Sequence, residues 1–272
     1  DQPTAENPRS RIDQRFLRLA ASAPERLAML DISHLTRRFG EKVAVDDLSL
    51  HCAPGRITGF IGHNGAGKTT TLRAAAGILD FTEGRITIAG HDVRADPVAA
   101  KRVSAFLPDS PDLYEFMSGV DYLSFIADMY QLPAAQRRDE IERYATAYGL
   151  ADELGNSVGS YSHGMKQKLS LVSAFMRRPR LLMLDEPFVG LDPIAGHQLK
   201  QHLRALCEGG GAVLFSTHIL EVAQSLCDDI AIIKGGRLVV AGPTTEVVGS
   251  ASLESVFLEL QQGTPAAPGA SA

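Results

Sequence analysis

One segment limits the fold more than any other, "RITGFIGHNGAGKTTTLRAAAGIL", residues 56–79. A short β-branched and apolar run ends in glycines, and a helix-forming stretch follows. Gly62, Gly67, Lys68 and Thr69 fall on the pattern G-x-x-x-x-G-K-[ST]. Glycines let backbone N–H groups converge on phosphate oxygens without a Cβ in the way, and the following helix turns its positive end toward the same anion. A bare connecting turn would account for the glycines alone. The strand before and the helix after favour a phosphate loop, and strand, Gly-rich turn and helix in that order are the arrangement of an α/β phosphate site. The expected contact set runs through Gly62, His63, Asn64, Gly65, Ala66, Gly67, Lys68, Thr69 and Thr70. Lys68 would neutralise the β- and γ-phosphates of a nucleotide and the Thr69 hydroxyl would ligate Mg²⁺. His63 would contribute only its backbone, with the side chain facing outward.

A second apolar run, "LLMLDEP" (181–187), ends in Asp185 and Glu186. Adjacent residues on a strand point to opposite faces, so the two carboxylates are expected to do different work. Asp185 would hold Mg²⁺ through its water shell, and Glu186 would take a proton from an attacking water. Two solvated acids at a strand end are the alternative, which the phosphate loop makes less attractive. "FSTH" closes a further strand, and its order in the chain brings His218 to the same sheet edge, where it would contact the γ-phosphate and the water.

Around these motifs the chain divides. Residues 1–26 are polar and read as a flexible N-terminal extension. The main domain spans about 29–248, with a helical block at about 100–178 interrupting strand-rich surroundings. Within that block Ser118 N-caps a helix with Asp121 completing a capping box, "AAQRRDEIERYATAYGL" is closed by Gly149, and a third helix starts near Gly164. "IAIIKGGRLVVAG" reads as a hairpin turning at Gly235 and Gly236. Residues 251–272 read as a short C-terminal segment followed by a Pro-rich tail expected to be disordered.

Composition narrows the function. A net charge of −5 lacks the basic excess expected of a nucleic-acid binder, so no nucleic acid is expected as a partner. Three scattered cysteines, Cys52, Cys207 and Cys227, suit reduced thiols and make no metal knuckle. No apolar run approaches the roughly 20 residues of a membrane-spanning helix, so the chain is expected to be soluble by itself.

Taken together, the phosphate loop (62–70), "YSHGM" (161–165), Asp185–Glu186, "GLD" (190–192) and His218 resemble, in order, the motifs of ATP-binding subunits of ABC transporters. The resemblance covers about residues 30–242. It implies an α/β P-loop NTPase core of ABC ATPase type, with an antiparallel β subdomain and an inserted helical subdomain. It implies ATP and Mg²⁺ as ligands, and head-to-tail pairing with a second copy or a homologous ATPase subunit. In such a pair Ser162 and the Gly164 N–H would bond the γ-phosphate held by the other chain. Phe39 would stack on adenine, a core phenylalanine being the alternative. Asp192 belongs to the loop that communicates between sites. A separately encoded transmembrane permease subunit at the cytoplasmic face of the membrane would be the partner.

Two departures stand out. The family's usual Leu-Ser-Gly-Gly-Gln is Tyr161, Ser162, His163, Gly164, Met165 here, and Asp109 takes the place of a Gln near the metal. Together with "SLESVFLEL" (252–260) these features look most like the small ATPases of export systems. The rival expectations are a non-transport ABC ATPase acting as a clamp on ribosome or DNA, and a binding module in which hydrolysis is silenced.

Overall fold

The computed structural model describes residues 28–262; the N-terminal extension and the Pro-rich tail lie outside the described residues. The chain runs β1 (Leu30–Phe39), β2 (Lys42–Cys52), β3 (Ile57–Ile61), α1 (Lys68–Ala75), β4 (Glu83–Ile88), β5 (His91–Asp92), α2 (Pro97–Val103) and β6 (Ser104–Leu107). Three helices come next, α3 (Gly119–Met129), α4 (Ala134–Ala147) and α5 (His163–Phe175). Then come β7 (Leu181–Asp185), α6 (Pro193–Glu208), β8 (Ala212–Thr217), α7 (Leu220–Leu226), β9 (Asp229–Lys234), β10 (Arg237–Pro243), α8 (Thr244–Val248) and α9 (Leu253–Gln262).

Two sheets organise them. β2-β1-β4-β5 is antiparallel throughout, and β10-β9-β3-β8-β7-β6 is parallel except for the antiparallel β9–β10 pair at one edge. The strands of the second sheet are covered on both faces, and alternation along each strand divides them between two cores. Leu182, Leu184, Val213 and Phe215 face the core shared with the helical insertion. Leu181, Met183, Leu214 and Phe60 face the core shared with the antiparallel sheet.

The helical block begins later than the sequence indicates. Ser104–Leu107 is not helical; it pairs parallel to β7 as the edge strand of the large sheet. Three apolar residues after a serine, directly behind a helix, carry too little periodicity to reveal a strand. Elsewhere caps and turns fall where expected, except that the Asp121 carboxylate accepts from the Ser118 hydroxyl rather than completing a capping box through the Ser118 N–H. Ser118 Oγ accepts from the Asp121 N–H and caps α3, while Gly149 follows α4 at φ +65°. The β9–β10 hairpin turns on Gly235 and Gly236, both at positive φ.

Strand order places the functional residues. β3 lies between β8 and β9, with β7 beyond β8. Parallel register sets Ile61 opposite Thr217, and Asp185 opposite Ser216. The carboxyl ends of β3, β7 and β8 therefore share one edge, where ligands of open α/β sheets bind.

Candidate ATP site

The loop leaving β3 is held by its own backbone and by the β9–β10 turn. Ala66 N–H donates to the His63 carbonyl at 3.0 Å, and Gly236 N–H to the Ala66 carbonyl at 2.9 Å. Two glycines are sterically required. A Cβ on Gly62 would come within 2.6 Å of the Ile233 carbonyl oxygen. Gly67, at φ +110°, would bring one equally close to the Ala44 carbonyl.

Lys68 is buried, and its Nζ donates to the Gly62 carbonyl at 2.6 Å and the His63 carbonyl at 3.3 Å. It lies 3.8 Å from Glu186 Oε1. Burial pulls its pKa down, partly opposed by the carboxylates of Glu186 and Asp185. A cation with little hydration left is poised to exchange carbonyls for phosphate oxygens.

Asp185 and Glu186 do differ in role-setting environment, but the pleat is not the cause. Asp185 is the last residue of β7, whereas Glu186 has already left the strand in the left-handed region at φ +49°. Such backbone costs a non-glycine residue about 1–2 kcal/mol and is found where a side chain must be aimed. Ser216 holds both. Its hydroxyl donates to Asp185 Oδ1, and its Oγ accepts from the Glu186 N–H at 3.0 Å. Nothing in the sequence singled Ser216 out beyond its place in "FSTH". Asp185 Oδ2 is buried without a hydrogen-bond partner among the described residues. A buried, unpaired carboxylate oxygen beside a phosphate loop fits a divalent cation, with the Thr69 hydroxyl as a companion oxygen ligand.

Glu186 Oε2 lies 2.9 Å from His218 Nδ1 and 3.3 Å from the His218 N–H. A carboxylate accepts only, so Nδ1 carries the proton. The cleft itself, about 650 Å³, is lined by Phe39, Asn64, Gly65, Gly67, Lys68, Thr69, Thr70, Asp109, Asp185 and Glu186. Lys42 and Ala44 complete the wall and were not anticipated; a lone lysine beside a hairpin turn carries no motif. Phe39 is not a core residue. It is 46% exposed, with the Arg37 guanidinium 4.4 Å from its ring centroid. Asp109 is exposed, and its Oδ1 accepts from the Ser110 N–H.

Other candidates are not among the residues lining this cleft. Ser162 is exposed and caps α5 by accepting from the Met165 N–H. Gly164 is half-buried and faces the Gly190 carbonyl, 3.0 Å from where a Cβ would stand. Asp192 caps α6 through the Ala195 N–H and pairs with Lys168 at 2.6 Å. These contacts hold its carboxyl below the usual range, the Lys168 bond being the largest influence. His63 is exposed, and its ring packs edge-on against Phe257 of α9, a contact the sequence did not indicate.

The ABC transporter family profile matches residues 45–189, more than half of the chain. The chain belongs to the ABC transporter ATP-binding family. Its ligand is ATP and its activity is ATP hydrolysis. The chain is 34% identical over 212 residues, 78% of its length, to an uncharacterized ABC transporter ATP-binding protein, YhcH, of Bacillus subtilis (strain 168), covering 68% of that protein. It is 33% identical over 226 residues to the daunorubicin resistance ATP-binding protein DrrA3 of Streptomyces coeruleorubidus, covering 83% of this chain and 72% of that one. A solved ATP-binding subunit of an ABC transporter superposes with a TM-score of 0.83 at 31% identity, covering 86% of this chain and 99% of the other. Among the described residues no helix of this ATPase is long and apolar enough to cross a membrane.

Proposed function

We propose that this ATPase powers an exporter, working as one half of a head-to-tail pair at the cytoplasmic face of a membrane beneath a separately encoded permease subunit. The observation that supports it is the division of the site. One cleft holds the loop, Lys68 and both carboxylates, while the exposed Ser162 and the half-buried Gly164 sit outside it. A second copy, or a homologous ATPase subunit, would bring its own Ser162 hydroxyl and Gly164 N–H to the open side of the cleft.

Within the cleft Phe39 offers its exposed ring to adenine, and the loop N–H groups from Gly62 to Thr70 wrap the phosphates. Lys68 passes from the Gly62 and His63 carbonyls to the phosphate oxygens. Thr69, Asp185 and Asp109 would hold Mg²⁺, which when bound neutralises phosphate charge. Glu186 accepts a proton from water as the water oxygen bonds to the γ-phosphorus and the bond to the ADP oxygen breaks. His218 orients Glu186 through its Nδ1 contact. ATP binding then closes the pair and hydrolysis opens it, moving the permease between its two states.

Export rather than import draws support from the drug-resistance relative. The test is affinity purification of the chain from detergent-solubilised membranes of its native cell, with the co-purifying proteins identified by mass spectrometry. A stoichiometric multi-span protein is expected. Recovery of ribosomal or DNA-associated proteins alone would overturn the transport reading in favour of a clamp.

A further inference from the structure

α9 lies beyond the residues matched by the family profile, yet it touches the frame of the ATP cleft at three places. At its start the Leu253 N–H donates to Gln224 Oε1 at 2.8 Å. Gln224 sits on α7, which begins just after His218. Midway, the buried Phe257 ring meets the His63 ring edge-on, centroids 4.9 Å apart and planes inclined by 60°. At its end Lys234 Nζ donates to the Leu260 and Gln261 carbonyls at 3.2 and 2.8 Å. Lys234 closes β9, directly before the turn whose Gly236 N–H holds the Ala66 carbonyl.

The middle contact bears most directly on chemistry. His63 is a phosphate-loop residue, and its carbonyl receives both the Ala66 N–H and Lys68 Nζ. An exposed histidine on a glycine-rich loop has many rotamers and a pliant backbone beneath it. Packing its ring against a helix that is anchored at both ends removes that freedom before the nucleotide arrives, which lowers the ordering cost of binding.

We propose that Phe257 is a positioning residue for ATP binding, acting through the His63 ring to hold the phosphate loop in its receptive conformation. This rests on the phosphate loop being the ATP site. The competing explanation is that Phe257, with Leu253 and Val256, only packs α9 onto the core.

The experiment measures binding of the non-hydrolysable β,γ-imido analogue of ATP to the full chain by calorimetry, with steady-state kinetics alongside. His63→Ala and Phe257→Leu should each weaken binding about twofold to tenfold, the range of an aromatic pair. KM should rise while kcat holds. The double variant should be no weaker than the weaker single, because both remove one contact. Phe257→Tyr should restore affinity. Val256→Ala shortens a buried neighbour on the same helix; it should lower the Tm and leave affinity unchanged. Wild-type affinity in His63→Ala, simple additivity, or equal loss in Val256→Ala would overturn the proposal. Lys68→Ala tells the two layers apart. If it binds the analogue as tightly as wild type, the loop is not the ATP site and the inference falls with it. If it alone loses binding while His63→Ala and Phe257→Leu keep theirs, only the role of Phe257 falls.

Discussion

Glu186 gathers more of the local structure than any other residue in the cleft. Its left-handed backbone, the Ser216 anchor on its N–H, Lys68 near one carboxylate oxygen and His218 on the other fix it in a single orientation. Glu186→Gln keeps that shape and removes the basicity. Turnover should fall by about 10² or more, the usual contribution of a positioned base, with ATP affinity retained. Wild-type phosphate release from that variant would remove Glu186 from the role of base. Asp109 allows a separate test. It lines the cleft together with the carboxylates of Asp185 and Glu186. Asp109→Gln should raise the Mg²⁺ concentration needed for half-maximal turnover. An unchanged metal dependence would take Asp109 out of the cation site. The motif residues were legible because phosphate and metal chemistry demand particular side chains at particular spacings. Ser216 and Lys42 were not, since a serine on a buried strand and a lysine by a turn fit many roles.

At the scale of elements, short-range chemistry is legible in the sequence. The Ser118 cap and the Gly235–Gly236 hairpin arise from contacts a few residues long. Strand β6 escaped because its pairing with β7 is non-local, and so did the meeting of His63 with Phe257 across most of the chain. Asp192 shows how one residue can join elements. It caps α6 and reaches Lys168 on α5, tying the helix that starts at Ser162 to the loop after Glu186. Asp192→Ala should cost about 1 kcal/mol, chiefly as a lost N-cap, since an exposed ion pair adds little. Thermal denaturation reads this directly, and an unchanged Tm would show that the cap does not stabilise the fold.

At the scale of the whole molecule the architecture leaves one structural question, which is what covers the open cleft. The residues that would close it, Ser162 and Gly164, stand at the start of α5 and are not among the residues lining their own chain's cleft. This arrangement makes sense if two chains complete each other. Sedimentation velocity of Glu186→Gln with and without Mg-ATP tests that claim most directly, run beside the same protein carrying Ser162→Arg. A monomer is expected without nucleotide, a dimer with it, and a monomer that still binds ATP when Ser162→Arg is added. A Glu186→Gln chain that stays monomeric at saturating ATP, or one that dimerises equally well with Ser162→Arg, would contradict it.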